Sequence, residues 1–221
     1  VAVFPTYTRR EETADRAVHL IGVPAGIAGA VVLVVLAAFR DEPLRLLSLT
    51  LYSFGLIGML GFSAAYHMSR SPRRKEMLRR LDHAAIFVMI AGTYTPFMLV
   101  RVENAWAAGF CLFVWLTAAG GVALKLLFPR RYERISLVLY LLLGWSAVVI
   151  AEPLLDTLSP DVLALLLAGG LLYSIGVIFH TAHGLRFHNA IWHGMVLAAA
   201  VLHYIAVLSA VALPAAAGGA S

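Results

Sequence analysis

Charged side chains punctuate this chain at intervals, and long apolar runs lie between them. Seven stretches of 17 residues or more contain no Asp, Glu, Lys or Arg: 17–39, 46–69, 83–100, 104–124, 135–151, 162–185 and 187–221. Each is predominantly apolar. A helix that crosses a bilayer needs about 20 such residues, within a range of roughly 17–25. The pattern predicts seven membrane helices, over about 17–39, 46–68, 83–100, 104–124, 135–151, 162–183 and 190–213. The span 135–151 sits at the short limit, and Pro214 to Ser221 reads as a frayed tail. Val1 to Ala14 is polar, and the first apolar run is too long for the core of a cleavable signal, so it is expected to remain as the first helix.

Composition narrows the class. Of 221 residues, 61% are apolar and 13% charged, and the mean hydropathy is +0.86. Soluble domains run at roughly 45–50% apolar and about 25% charged, so a soluble enzyme and a disordered chain are both excluded. The reading is an all-α integral membrane protein, a seven-transmembrane-helix bundle, with residues 1–221 as one membrane domain. A single cysteine, Cys111, rules out an intrachain disulfide and a multi-cysteine zinc site.

The net charge is +5, but the basic residues are clustered between apolar runs, which favours a topological role over nucleic-acid binding. Arg9, Arg10 and Arg16 precede or open the first span. Arg70, Arg73, Arg74, Lys75, Arg79 and Arg80 follow the second, Lys125, Arg130, Arg131 and Arg134 the fourth, and Arg186 the sixth. These fourteen share one side of the membrane, against Arg40, Arg45 and Arg101 on the other. The positive-inside rule then places the N-terminus in the cytoplasm and the C-terminus outside. The basic stretch Ser69–Arg80 is expected as a short helix or loop on the inner surface, where lipid headgroups are a second use for its charge.

Polar groups gather at the same end. His19 begins the first span, His67 ends the second, Asp82 and His83 begin the third, His180 and His183 end the sixth, and His188 and His193 flank the start of the seventh. Only His203 lies deeper, ten residues past His193, or roughly 15 Å along a helix. Histidines in apolar helices face the bundle interior or a wet cavity. Ser63 and His67 are four apart, as are Asp15 and His19, so each pair shares a helix face. A carboxylate beside a histidine is a usual support for a metal ligand, and equally a plain hydrogen-bonded pair.

No HExxH, GxSxG or phosphate-cradling loop is present, and neither Lys75 nor Lys125 lies inside a predicted span, which removes a retinal Schiff base. Imidazole, carboxylate and hydroxyl remain. Imidazoles with an open position suit catalytic zinc, and Asp82 would hold or deprotonate its water. Pro96 is expected to kink its helix, and Gly92, Gly120, Gly121, Gly169 and Gly170 to mark close helix packing.

Several segments together resemble one family: Ser63-Ala-Ala-Tyr-His67, Arg80-Leu-Asp82-His83-Ala-Ala-Ile-Phe, Gly92-Thr-Tyr-Thr-Pro96-Phe and Asn189-Ala-Ile-Trp-His193. In this order they resemble the haemolysin III family, grouped with the progestin and adipoQ receptors and, more broadly, with the alkaline ceramidases in a superfamily of membrane hydrolases. The resemblance runs from about Arg10 to Val207, and the pattern looks bacterial, which implies the inner membrane. It implies seven helices with the N-terminus inside and a zinc ion near the cytoplasmic face. His67 matches the helix-two ligand and His193 the second histidine of an HxxxH pattern on helix seven. Asp82 matches the nearby aspartate, and Ser63 a serine one turn before the first ligand. The first histidine of HxxxH falls on Asn189. The third ligand is then His188, from a helix that starts late or unwinds, or Asn189 reaching the ion through water.

Three functions follow from these expectations. The first is a zinc-dependent hydrolase of a lipid amide, with Asp82 and Ser63 in its catalytic machinery. The second is a non-enzymatic regulator of membrane lipid or energy state, with a structural metal. The third is a pore, which the absence of charged residues inside the predicted spans disfavours. The expected partners are membrane lipids and a lipid-like substrate or ligand, with no nucleic acid.

Overall fold

A computed structural model describes residues 7–213, and the tail expected over Pro214–Ser221 lies outside them. Among the described residues, seven helices are long and apolar enough to cross a membrane. They are α1 (Arg9–Ala38), α2 (Pro43–Met68), α3 (Pro72–Val102), α4 (Ala105–Leu127), α5 (Glu133–Thr157), α6 (Pro160–Thr181) and α7 (His188–Ala212). Buried apolar side chains, among them Leu33, Tyr52, Phe87, Met98, Val114 and Val207, form a core shared between them.

The helices overrun the charge-free windows, for reasons visible in their ends. α1 begins eight residues before the window because Thr8 and Glu11 form a reciprocal capping box. The Thr8 N–H donates to Glu11 Oε2 at 2.9 Å, and the Glu11 N–H donates to Thr8 Oγ1 at 3.4 Å. Asp15 therefore lies on a membrane helix, not in a polar leader. The stretch Ser69–Arg80 is not a separate surface element. Pro72 opens α3 and the basic residues form its first turns, continuous with the span. Proline at the first helical position loses no backbone bond, so charge, and not helix propensity, ended the sequence window there.

Three helices are irregular, and α7 is one of them, ending in a π-helical turn over Leu208–Ala212. After Pro96 the third helix widens into a π-helical segment, Phe97–Val102, which ends at Glu103 in the left-handed region (φ 48°). A proline cannot donate to the helical ladder, and local π geometry re-satisfies the freed carbonyls. In α5 the α-helix stops at Trp145, passes through a 3-10 segment at Ser146–Ile150 and resumes over Ala151–Thr157. The span expected to be short is thus long but broken.

Helices α1, α2, α3 and α4 pack in sequence order, α6 packs on α7, and α7 returns to α1. α2 and α3 make the closest approach. A Cβ added at Gly55 would lie 3.1 Å from Met89 Cα, and one at Gly92 would lie 3.1 Å from the Leu51 carbonyl oxygen. Gly121 and Gly169 likewise face ring atoms of Phe87 and His203, whereas Gly120 faces open space. α5 is packed more sparsely than its neighbours. The gap beside it becomes a cavity of about 1030 Å³ that runs from the basic end of the bundle into its middle.

Candidate metal centre

The start of α1 is tied to the start of α7. Glu11 Oε1 accepts the Phe187 N–H at 3.0 Å, and Phe187 adopts a left-handed conformation (φ 60°) that turns the chain into α7. Glu11, Asp15 and His19 follow at intervals of four, so this clamp aims one face of α1 at α7. The last turn of α2 brings His67 in from the third side.

Asp15, His19, His67 and His193 consequently converge. Each offers one ligand atom, and the four atoms lie within 4.8 Å of one another. Asp15, His19 and His193 are buried, and the His67 side chain is 14% exposed. His193 Nδ1 sits 2.6 Å from Asp15 Oδ1, His67 Nδ1 lies 3.4 Å from Asp15 Oδ2, and His19 Nε2 lies 3.6 Å from that same oxygen. The three imidazole centroids are 4.5 to 5.4 Å apart.

The chemistry of this set fits a divalent transition metal. Histidine nitrogen and carboxylate oxygen bind zinc at about 2.0–2.2 Å, which sets neighbouring donors about 3.3 Å apart around a tetrahedron. The three carboxylate–imidazole separations bracket that value. His19 Nε2 is buried without a hydrogen-bond partner among the described residues. An unsatisfied buried polar atom costs about 1–3 kcal/mol, and an ion at this point would satisfy it.

Of the residues singled out from the sequence, some join this group and others do not. His67 and His193 are in the converging group. Asn189, one turn before His193, turns its side chain toward it, with Nδ2 3.4 Å from His67 Nδ1 and 3.5 Å from His193 Nδ1. His188 is directed elsewhere, and its ring packs against Tyr7 and edge-on against His183. Five residues are about 500° of helix, so a side chain at 188 points roughly 140° away from one at 193. α7 is a regular α-helix over His188–Val207, so nothing swings that ring back. Burial, with the Asp15 and Glu11 carboxylates nearby, raises the Tyr7 phenol pKa and keeps it protonated. Asp82 and Ser63 are both buried, and both border the cavity.

Asp15 and His19 join the group although the spacing marked them only as a pair. The signal was the i, i+4 repeat together with the placement of both residues at the basic end. The other histidines have separate partners. His83 Nδ1 faces Glu133 at 3.3 Å, His180 packs on Trp192, and His203 Nε2 donates to the Leu166 carbonyl at 3.2 Å.

A second polar cluster lies beside the centre. Glu133 at the start of α5 binds Lys125 Nζ at 2.7 Å and also pairs with Arg79, while Glu76 binds Arg79 at 3.0 Å and Arg130 at 2.7 Å. This network ties α3, α4 and α5 at the mouth of the cavity.

The sequence of the whole bundle is similar to known proteins. The Haemolysin-III related family matches residues 7–204. The chain belongs to this family. It is 35% identical over 202 residues to the Hemolysin-3 homolog of Bacillus subtilis (strain 168), covering 91% of this chain and 95% of that protein. It is 34% identical over 199 residues to Hemolysin-3 of Bacillus cereus, covering 90% and 91%. It is 30% identical over 205 residues to the Monocyte to macrophage differentiation factor of Homo sapiens, covering 89% and 83%. With seven apolar helices and this membership, the chain is a multi-pass membrane protein.

Proposed function

We propose that this haemolysin III family member is a zinc-dependent hydrolase of a lipid amide in the bacterial inner membrane. In this reading the N-terminus and the metal centre lie on the cytoplasmic side, and the C-terminus lies outside. The observation that carries it is the joining of the His/Asp group to the cavity. His19, His67 and His193 line the same space of about 1030 Å³ as the apolar Met89, Ile90 and Leu166. A polar end with several imidazoles and a long apolar body is the shape for an acylated lipid with its scissile bond near the headgroup.

His67 and His193 hold the ion, which when bound supplies an acidified water and polarises a carbonyl. Asp82 takes the proton of the attacking water and passes it to the amine leaving group as the C–N bond breaks, giving a fatty acid and an amine. Ser63 holds the Asp82 carboxylate in orientation through its hydroxyl. The apolar walls bind the acyl chain and exclude bulk water.

A second reading, a regulator with a structural metal, is favoured by the fourth donor: four protein ligands make a closed shell, whereas three leave a position for water. Fatty-acid release from an N-acyl sphingoid lipid in proteoliposomes separates the two. Wild type releases acid, Asp82→Asn retains metal and loses at least about 100-fold in rate, and His67→Ala loses both. Hydrolysis unaffected by Asp82→Asn removes the catalytic assignment. No hydrolysis from metal-loaded wild type favours the regulator.

A further inference from the structure

We infer that α1 supplies the metal centre with an anionic ligand, Asp15, which occupies the coordination position that the residue at 189 does not fill. The inference rests on the proposed metal centre and not on the hydrolase reading: it assigns the third and fourth ligands to Asp15 and His19, the closed set that favours the regulator.

Three features single out Asp15. Its carboxylate is the common neighbour of all three imidazoles, Oδ1 toward His193 and Oδ2 toward His67 and His19. Only the contact to His193 has hydrogen-bond length. The other two, at 3.4 and 3.6 Å, are spaced like donors around a shared ion and not like donor–acceptor pairs. The third feature is the buried His19 Nε2, which has no hydrogen bond among the described residues, lies one turn along α1 from Asp15 and is aimed into the same point.

Position 189 explains why a helix-one ligand is needed. Asn189 and His193 are four apart on α7, and the Asn189 side chain already reaches within 3.5 Å of His67 and His193 ring nitrogens. A neutral amide there is a poor zinc donor. The carboxylate from α1 approaches the same two nitrogens from the opposite helix. It brings one negative charge, so the three-imidazole, one-carboxylate set holds a divalent ion at net +1. It also makes the ion a fastener between α1, α2 and α7.

Residues 15 and 189 are then alternatives for one role, which a double-mutant cycle tests. Metal affinity is measured by competition with a chelator for wild type, Asp15→Asn, Asn189→His and the double variant. Folding of each is checked by size exclusion and thermal melting, and cobalt absorption reports the ligand field. Asp15→Asn is expected to lower zinc affinity by more than the roughly 10–100-fold typical of an outer hydrogen-bond partner, and to change the cobalt spectrum. Asn189→His is expected to recover about 100-fold or more in the Asp15→Asn background and less than about threefold in wild type, because the shell there is already filled. Equal effects of Asn189→His in both backgrounds overturn the inference, as does an unchanged cobalt spectrum in Asp15→Asn. Should Asp15→Asn fail to fold, a large affinity gain from Asn189→His in wild type overturns it alone. Failure of the metal reading looks different: no zinc on wild type, or full zinc on His67→Ala.

Discussion

Replacing Tyr94 with phenylalanine tests how the broken helix α5 is held. The Tyr94 ring is buried on α3 and packs edge-on against Phe110, and phenylalanine preserves that packing. Only the hydroxyl is lost. That oxygen donates to the Gly144 carbonyl at 2.8 Å and accepts the Ala147 N–H at 2.8 Å. These groups flank the point where the α-helix gives way to 3-10 geometry. A net hydrogen bond contributes about 1 kcal/mol, and a group left buried and unpaired costs about 1–3 kcal/mol. The two shortest of its four hydrogen bonds, lost near the middle of a span, cost about 2 kcal/mol, and the longer contacts to the Leu143 carbonyl at 3.1 Å and from Ser146 Oγ at 3.2 Å add little. At roughly 2–4 °C per kcal/mol for a chain of this length, the melting temperature should fall by about 4–8 °C. Tryptophan emission of the detergent-purified protein reads this directly, because Trp145 adjoins the break and bonds Ser174 at 2.9 Å. A shift below about 1 °C, against the roughly 4–8 °C expected, would mean that water in the cavity replaces the hydroxyl and that its bonds do not hold the break in α5.

Gly55→Val should reduce the yield of folded protein sharply. Its Cβ alone would lie 3.1 Å from Met89 Cα, and overpacking of this kind costs about 1–3 kcal/mol. Gly61→Ala, which meets nothing within 4 Å, serves as the control, and equal yields would place the α2–α3 backbones further apart than described. Glu133→Gln leaves buried Lys125 and Arg79 without their shared carboxylate. Breaking a fully buried pair costs about 3–5 kcal/mol, but Glu133 is 38% exposed, so screening brings the expectation to about 1–2 kcal/mol. The melting temperature should fall by about 2–8 °C, and no change would show that both cations are fully hydrated.

Much of the bundle was legible because a bilayer removes choices. Each backbone amide must be bonded within its own helix, so an uncharged apolar run reports a span directly. The histidine gathering at one end was legible for the same reason, since depth follows from position along a straight helix. Helix ends were misread wherever charge and helix propensity disagree. Arg9 to Asp15 and Pro72 to Asp82 are helical despite their charges, through the Thr8–Glu11 box and the Pro72 start.

The pattern of residues along the chain is enough to specify a seven-helix membrane protein with imidazoles and carboxylates collected at its basic end, because composition and periodicity act within one helix at a time. It also assigned His67 and His193 to that end. Which faces meet is settled by the packing of the bundle. Asp15 and His193 are 178 residues apart, and their 2.6 Å contact depends on the Glu11 clamp and on the packing of α1 between α2 and α7. Periodicity fixes the direction in which a side chain leaves its own helix and carries nothing about the helix it will face. For that reason the pair Asp15–His19 stayed a local pattern until the bundle closed around it, and His188, adjacent in sequence to the expected position, was turned away.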